Sequence, residues 1–190
     1  LMNADLLVYQ AKSFYNAYIA LDQLSRDDSD TLLLLFAPLV VNGAFSVELA
    51  LKAILAKNQI EYGKEHNLLI LFQMLPKSFQ QELWAYLIEK APEYAGSEKG
   101  LDELILLSNA FVDWRYAFEG KPVPAIESRF LAAFANAAVH TMFSYYNADL
   151  LPATKAESNN EIEQRFHENR EKCKEINLKM IQKKTKEHQL

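Results

Sequence analysis

From Thr31 to Val47 the chain carries no charged side chain, and the same run continues through Glu48 and Lys52 to Lys57. A helix that is apolar nearly all round needs neighbours on every side. This segment is therefore expected to be the central, most buried helix of an all-helical fold. Its apolar length also raises a membrane span, which needs about 20 mainly apolar residues. Pro38, Asn42, Gly43 and Ser46 interrupt the run, and two charged residues follow in the same helix. A buried bundle helix explains that pattern better, and no membrane association is expected. Pro38 either opens the helix near its first position or kinks it.

The rest of the chain supplies the neighbours. Only 5 glycines and 6 prolines occur in 190 residues, too few for the turns of an all-β fold. Over about residues 3–25, Leu7, Ala11, Phe14, Tyr18 and Leu21 recur at steps of three and four, one helical stripe. Residues 58–66 are a polar connection with Gly63 as breaker, and a short helix over Leu68–Leu75 ends at Pro76. Ser78–Lys90 carries Phe79, Leu83, Tyr86 and Leu87 on one side. Leu101–Glu119 reads as one helix with Leu104, Leu107, Phe111 and Trp114 on a shared face, and Ile126–Leu150 as another, rich in small alanines. The expected architecture is all-α: an antiparallel up-and-down helical bundle over residues 1–152.

After Pro152 the composition changes. Residues 153–190 are read as an extra charged C-terminal helix with a thin stripe at Ile162, Phe166, Cys173, Ile176 and Met180. It either packs on the bundle or a second subunit, or stays solvated. Charge divides in the same way. Residues 1–154 hold 11 Lys/Arg against 18 Asp/Glu, a balance of −7, and residues 155–190 hold 9 against 7, a balance of +2. A body this acidic repels phosphate backbones unless positive charge is focused locally, so non-specific nucleic-acid binding is disfavoured.

Several chemistries find no support. The lone Cys173 has no partner for an internal disulfide, which fits a reducing cytoplasm. No basic segment precedes an apolar run at the start, so no signal peptide is read. The four histidines are scattered, no metal-ligand set is present, no cofactor is expected, and there is no Gly-rich phosphate loop.

Three phrases carry a resemblance. The first is Phe45-Ser-Val-Glu-Leu-Ala-Leu-Lys-Ala-Ile-Leu, the second His66-Asn67-Leu68, the third Trp114-Arg115-Tyr116. In this order and spacing the chain resembles the HEPN superfamily (higher eukaryotes and prokaryotes nucleotide-binding). Glu65 stands where the family pattern carries glycine before the histidine. The resemblance implies a helical bundle that commonly forms homodimers. One branch of the family consists of metal-independent RNases whose signature is Arg, four to six residues, then His. Another lacks the signature and binds RNA or nucleotides or serves as an assembly module. Bacterial members often belong to stress or defence systems, where a nucleotidyltransferase-like protein partner would mark a toxin–antitoxin pair.

This chain lacks that signature. The residues four to seven beyond Arg115 are Glu119, Gly120, Lys121 and Pro122, and no other arginine is followed by histidine at the required distance. Arginine suits a phosphate through its bidentate fork, and histidine suits proton transfer near neutral pH. The candidate ligand-binding residues are therefore Arg115, Tyr116, Glu48, Lys52 and His66, with Arg115 and His66 as the catalytic candidates. For each, a structural role stands beside the functional one. Arg115 either grips a phosphate or bridges to Glu48 or Glu119. His66 is either a displaced acid/base or a helix-start residue bonding locally. Glu48 and Lys52 either line a polar groove or form an ordinary helix pair. His140, in an apolar helix, reads as a core histidine. The leading expectation is a non-catalytic binding or assembly module. The alternatives are an RNase with a displaced acid/base and a purely structural interaction domain.

Overall fold

A computed structural model describes residues 4–25, 29–95, 98–116, 124–146, 171, 174 and 175, with the side chains of 29–34 left aside. The helices are α1 (Ala4–Ser25), α2 (Ser29–Lys57), α3 (Leu68–Met74), α4 (Lys77–Lys90), α5 (Glu98–Leu107), α6 (Ala110–Arg115) and α7 (Ser128–Tyr146), with a 3-10 turn at Pro92–Tyr94. No strand occurs among the described residues. The fold is an all-α helical bundle.

The charge-free run forms its axis. α2 packs against α1, α3, α6 and α7, and every residue from Ser46 to Leu55 is buried. Leu35–Lys57 is long and apolar enough to cross a membrane by composition, and most of it is enclosed by the other helices. Pro38 does not start this helix, which begins at Ser29. The ring sits on an exposed side of α2, and Asn42 Nδ2 donates to the Pro38 carbonyl at 2.7 Å. Gly43 marks the tightest approach. A Cβ there would lie 3.0 Å from Tyr18 Cδ2 of α1 and 3.1 Å from Leu131 Cδ1 of α7.

One expected helix is two. The Leu101–Glu119 segment breaks at Ser108–Asn109 into α5 and α6. The Ser108 hydroxyl donates back to the Ile105 carbonyl at 2.7 Å, and the Ser108 carbonyl accepts the Leu68 N–H at 2.8 Å. Serine and asparagine divert the backbone in this way without the help of glycine or proline.

The chain divides into two compact units, Leu1–Ala148 and Asp149–Leu190. In the second, Lys174 Nζ pairs with Glu171 at 2.6 Å. The expected apolar stripe of the C-terminal helix, Cys173 included, lies outside the described residues, as do Glu119, His167 and His188.

Candidate functional site

α2 places Glu48 and Lys52 one turn apart on its buried length, and Lys52 Nζ donates to Glu48 Oε1 at 2.7 Å. The two residues are 1% and 8% exposed, so neither forms an open groove. The chain leaves α2 through Gln59, whose φ of 59° is the left-handed turn that ends the helix. It then lays the buried Tyr62 ring over Lys52, with Nζ 5.4 Å from the ring centroid. Burial raises the Tyr62 hydroxyl pKa, and the Glu48 charge raises it further.

His66 closes this cluster from the solvent side. Its Nδ1 lies 2.9 Å from the same Glu48 Oε1, while half of its side chain stays exposed. The other carboxylate oxygen, Oε2, is buried without a hydrogen-bond partner. The local reading of His66 accounts only for its backbone: its N–H donates to Glu65 Oε1 at 2.8 Å, and the Asn67 N–H donates to that oxygen at 2.7 Å. Glu65 thus braces the turn at the position where the family pattern has glycine.

Asn67 then caps α3, its Oδ1 accepting the Ile70 N–H at 3.0 Å. Its Nδ2 donates to Asn109 Oδ1 at 3.1 Å. With the Leu68–Ser108 backbone bond, this clasps the start of α3 to the α5–α6 joint. The clasp sets α6, and α6 brings Phe111 and Arg115 beside His66.

Phe111 is the platform that joins the two. Phe45 of α2 stacks on it at 4.2 Å, with 12° between the rings. Arg115 Cζ lies 4.7 Å from the Phe111 centroid and 4.7 Å from that of Tyr116. A ring has two faces and Phe45 fills one, so the guanidinium takes the other. The His66 ring lies 6.5 Å from Phe111, tilted by 34°. Arg115 is exposed, its Nη2 donates to the Tyr116 hydroxyl at 3.1 Å, and it forms no ion pair with Glu48. Of the structural alternatives for Arg115, the Glu48 bridge is therefore absent.

The structure thus brings Glu48, Lys52 and His66 into one hydrogen-bonded cluster and places Arg115 and Tyr116 across Phe111 from it. Phe111, Tyr62 and Asn109 belong to the same construction and were not singled out by the sequence motifs, which noted Glu65 only as a departure from the family pattern. Phe111 carried an aromatic signal that helical periodicity assigned to packing, and Tyr62 lay in the segment read as a polar connection. His140 departs from its expected core role: it is exposed and stacks flat on Tyr86 at 3.9 Å. Among the described residues, no group of three or more His, Cys, Asp or Glu is arranged to hold a metal.

Residues 40–121 match the family model of the HEPN domain. These residues form a HEPN domain. No curated protein and no solved structure matches the chain. The HEPN match begins on α2, and it contains Glu48, Lys52, His66, Phe111, Arg115 and Tyr116. HEPN membership implies a nucleotide- or RNA-related function.

Proposed function

We propose that this HEPN domain binds single-stranded RNA at the face formed by His66, Phe111, Arg115 and Tyr116, as a module without catalysis of its own. The observation that carries this reading is Arg115: an exposed guanidinium held on two aromatic rings, with no carboxylate paired to it among the described residues. A cation seated on ring faces is preorganised, so it loses little freedom on taking a phosphate. The exposed Tyr116 ring offers a surface on which a base stacks. On an acidic body, such a single focused cation gives local rather than non-specific binding.

Fluorescence anisotropy with labelled single-stranded RNA tests the proposal. Arg115→Ala is expected to weaken binding by about tenfold or more, the scale of one lost stacking and phosphate contact. Equal affinity of wild type and variant would overturn it.

The Glu48–His66 bond favours a second reading, a metal-independent endoribonuclease. With Nδ1 fixed on a buried carboxylate, Nε2 is the ring nitrogen left to exchange a proton. It would take the proton of a 2′-hydroxyl as that oxygen attacks phosphorus. The bond to the 5′-oxygen then breaks, and the leaving oxygen takes a proton from water. The products are a 2′,3′-cyclic phosphate and a 5′-hydroxyl end. Intact RNA after prolonged incubation with the wild type removes this reading and leaves the binding proposal standing.

We further propose that the protein works in the cytoplasm as a homodimer, with a nucleotidyltransferase-like protein as partner in a stress or defence setting. Light scattering on the full chain tests the dimer: a monomer mass at high concentration would remove it.

A further inference from the structure

Lys77, Gln81, Trp84 and Ile88 follow at steps of four, three and four, one face of α4. With Phe72 of α3 and Leu101 of α5 they line a groove of about 580 Å³. Small-molecule sites fall between about 300 and 1,000 Å³. The groove shares no residue with the His66–Arg115 face.

Its wall is set before any ligand arrives. Gly100 stands in the first turn of α5, and a Cβ there would lie 2.9 Å from Trp84 Cζ2. Its absence lets the indole close on the α5 backbone. Phe72 meets the indole from another side, at 5.9 Å between centroids and 48° between planes. A ring held in this way loses little freedom when a ligand packs on it. Leu101 is 47% exposed, so apolar surface of the groove stands in water.

The two ends of the groove differ in chemistry. Ile88 makes the far end apolar. The near end carries Lys77, whose ammonium donates to the neutral Gln80 Oε1 at 3.1 Å and pairs with no carboxylate among the described residues. Gln80 is itself fixed, its Nε2 donating to the carbonyls of Gln73 at 3.1 Å and Leu75 at 2.7 Å. The ammonium is thereby held at the mouth of the groove. No side chain caps α4, which starts at Lys77, so the positive end of the helix dipole lies at the same place. No carboxylate lines the groove among the described residues, on a body whose sequence balance is negative. From Lys77 to Ile88 the face runs about 16 Å along α4, room for an extended aliphatic chain.

We infer that this groove binds a free aliphatic monocarboxylic acid, with its carboxylate on Lys77 and its chain laid along Trp84 towards Ile88. The ammonium and the helix terminus orient the head, and removal of methylene groups from water supplies the affinity.

Isothermal titration calorimetry on the full chain tests this with hexanoate, octanoate and decanoate below their micellar concentrations, and with octan-1-ol. Affinity is expected to rise along the series, by up to about fourfold for each methylene buried. Octan-1-ol should bind about tenfold more weakly than octanoate, the scale of one charge-assisted hydrogen bond. Lys77→Met should weaken octanoate to the level of the alcohol and leave the alcohol unchanged, a split that a merely structural lysine would not produce. Ala85→Glu places a carboxylate in the lining and should weaken octanoate at least about tenfold. Both positions are exposed, and unchanged circular dichroism would show that the variants fold. The proposal is overturned if decanoate does not bind at millimolar concentration, if the alcohol binds as tightly as the acid, or if both variants leave octanoate binding unchanged. Binding to anionic phospholipid vesicles without binding to decanoate would equally overturn it, with a lipid surface as the occupant.

Discussion

His66 Nδ1 and Lys52 Nζ meet on one oxygen of Glu48, at 2.9 Å and 2.7 Å. The carboxylate is 1% exposed, whereas half of the His66 side chain reaches solvent. A surface imidazole is thereby fixed to a charge inside the bundle, and Lys52 supplies the countercharge that makes the burial tolerable. Such a pair is costly to break and cheap to replace as a whole.

Glu48→Ala would leave the Lys52 ammonium buried without its carboxylate, at an expected cost of about 3–5 kcal/mol. Glu48→Leu combined with Lys52→Met should recover most of that loss. Urea unfolding of the three proteins measures both effects. A single-variant cost below about 1 kcal/mol would mean that water reaches Lys52 freely.

Gln59 ends α2 in a left-handed conformation, with φ of 59°, and its side chain is exposed. A side chain in that region costs about 1 kcal/mol that glycine avoids. Gln59→Gly should raise stability by about that amount, read as a higher denaturant midpoint with an unchanged slope.

Gly43 sits where α1, α2 and α7 come closest. Alanine would gain about 1 kcal/mol in helix propensity. Its Cβ would press on Tyr18 and Leu131, which are 1% and 0% exposed and have little room to yield. Overpacking of that kind costs about 1–3 kcal/mol, so Gly43→Ala should destabilise by about 1 kcal/mol net. A rise in melting temperature would show that the three-helix contact is looser than it looks.

Tyr146 is buried and donates its hydroxyl to the Ala53 carbonyl at 2.8 Å. Burial, followed by the Asp5 charge, pushes its pKa up to about 12. An unfolded tyrosine ionises near about 10. The folded chain therefore keeps a proton that the unfolded chain gives up. This contribution to stability is complete below about pH 10 and disappears as the pH climbs from there to about 12. The gap in unfolding free energy between pH 8 and pH 11 should shrink in Tyr146→Phe. An identical gap in both proteins would show that other tyrosines, Tyr15 and Tyr62 among them, dominate the alkaline limb.

Much of this fold was legible because helical period and burial go together. The charge-free run around Val40 and Val47 had to be enclosed, and the stripes of α1 and α4 needed something to cover. The join between α5 and α6 was not legible. Besides the local bond of the Ser108 hydroxyl to Ile105, the groups of Ser108 and Asn109 find partners at the start of α3, and those partners are some forty residues away in sequence. Of the candidate site, Glu48, Lys52, His66 and Arg115 were readable as residue types in a familiar order. Their division into buried support and exposed face was not, since i,i+4 spacing is the same for a surface pair and an internal one. Phe111 was hidden for a related reason: an aromatic at helical spacing serves packing and also carries Arg115, and sequence shows only the first. His140 shows the reverse error, since apolar neighbours along a helix do not decide which way one residue faces.

The Asn67–Asn109 and Leu68–Ser108 bonds have a consequence for how this face changes over time. They sew together the segments that carry His66 and Arg115 without using either side chain. Frame and tool are separate. A substitution at either exposed position changes the chemistry of the surface without touching the bonds that hold the two segments in register. Such a scaffold tolerates losing an acid, gaining a base or exchanging one cation for another, and remains the same bundle throughout.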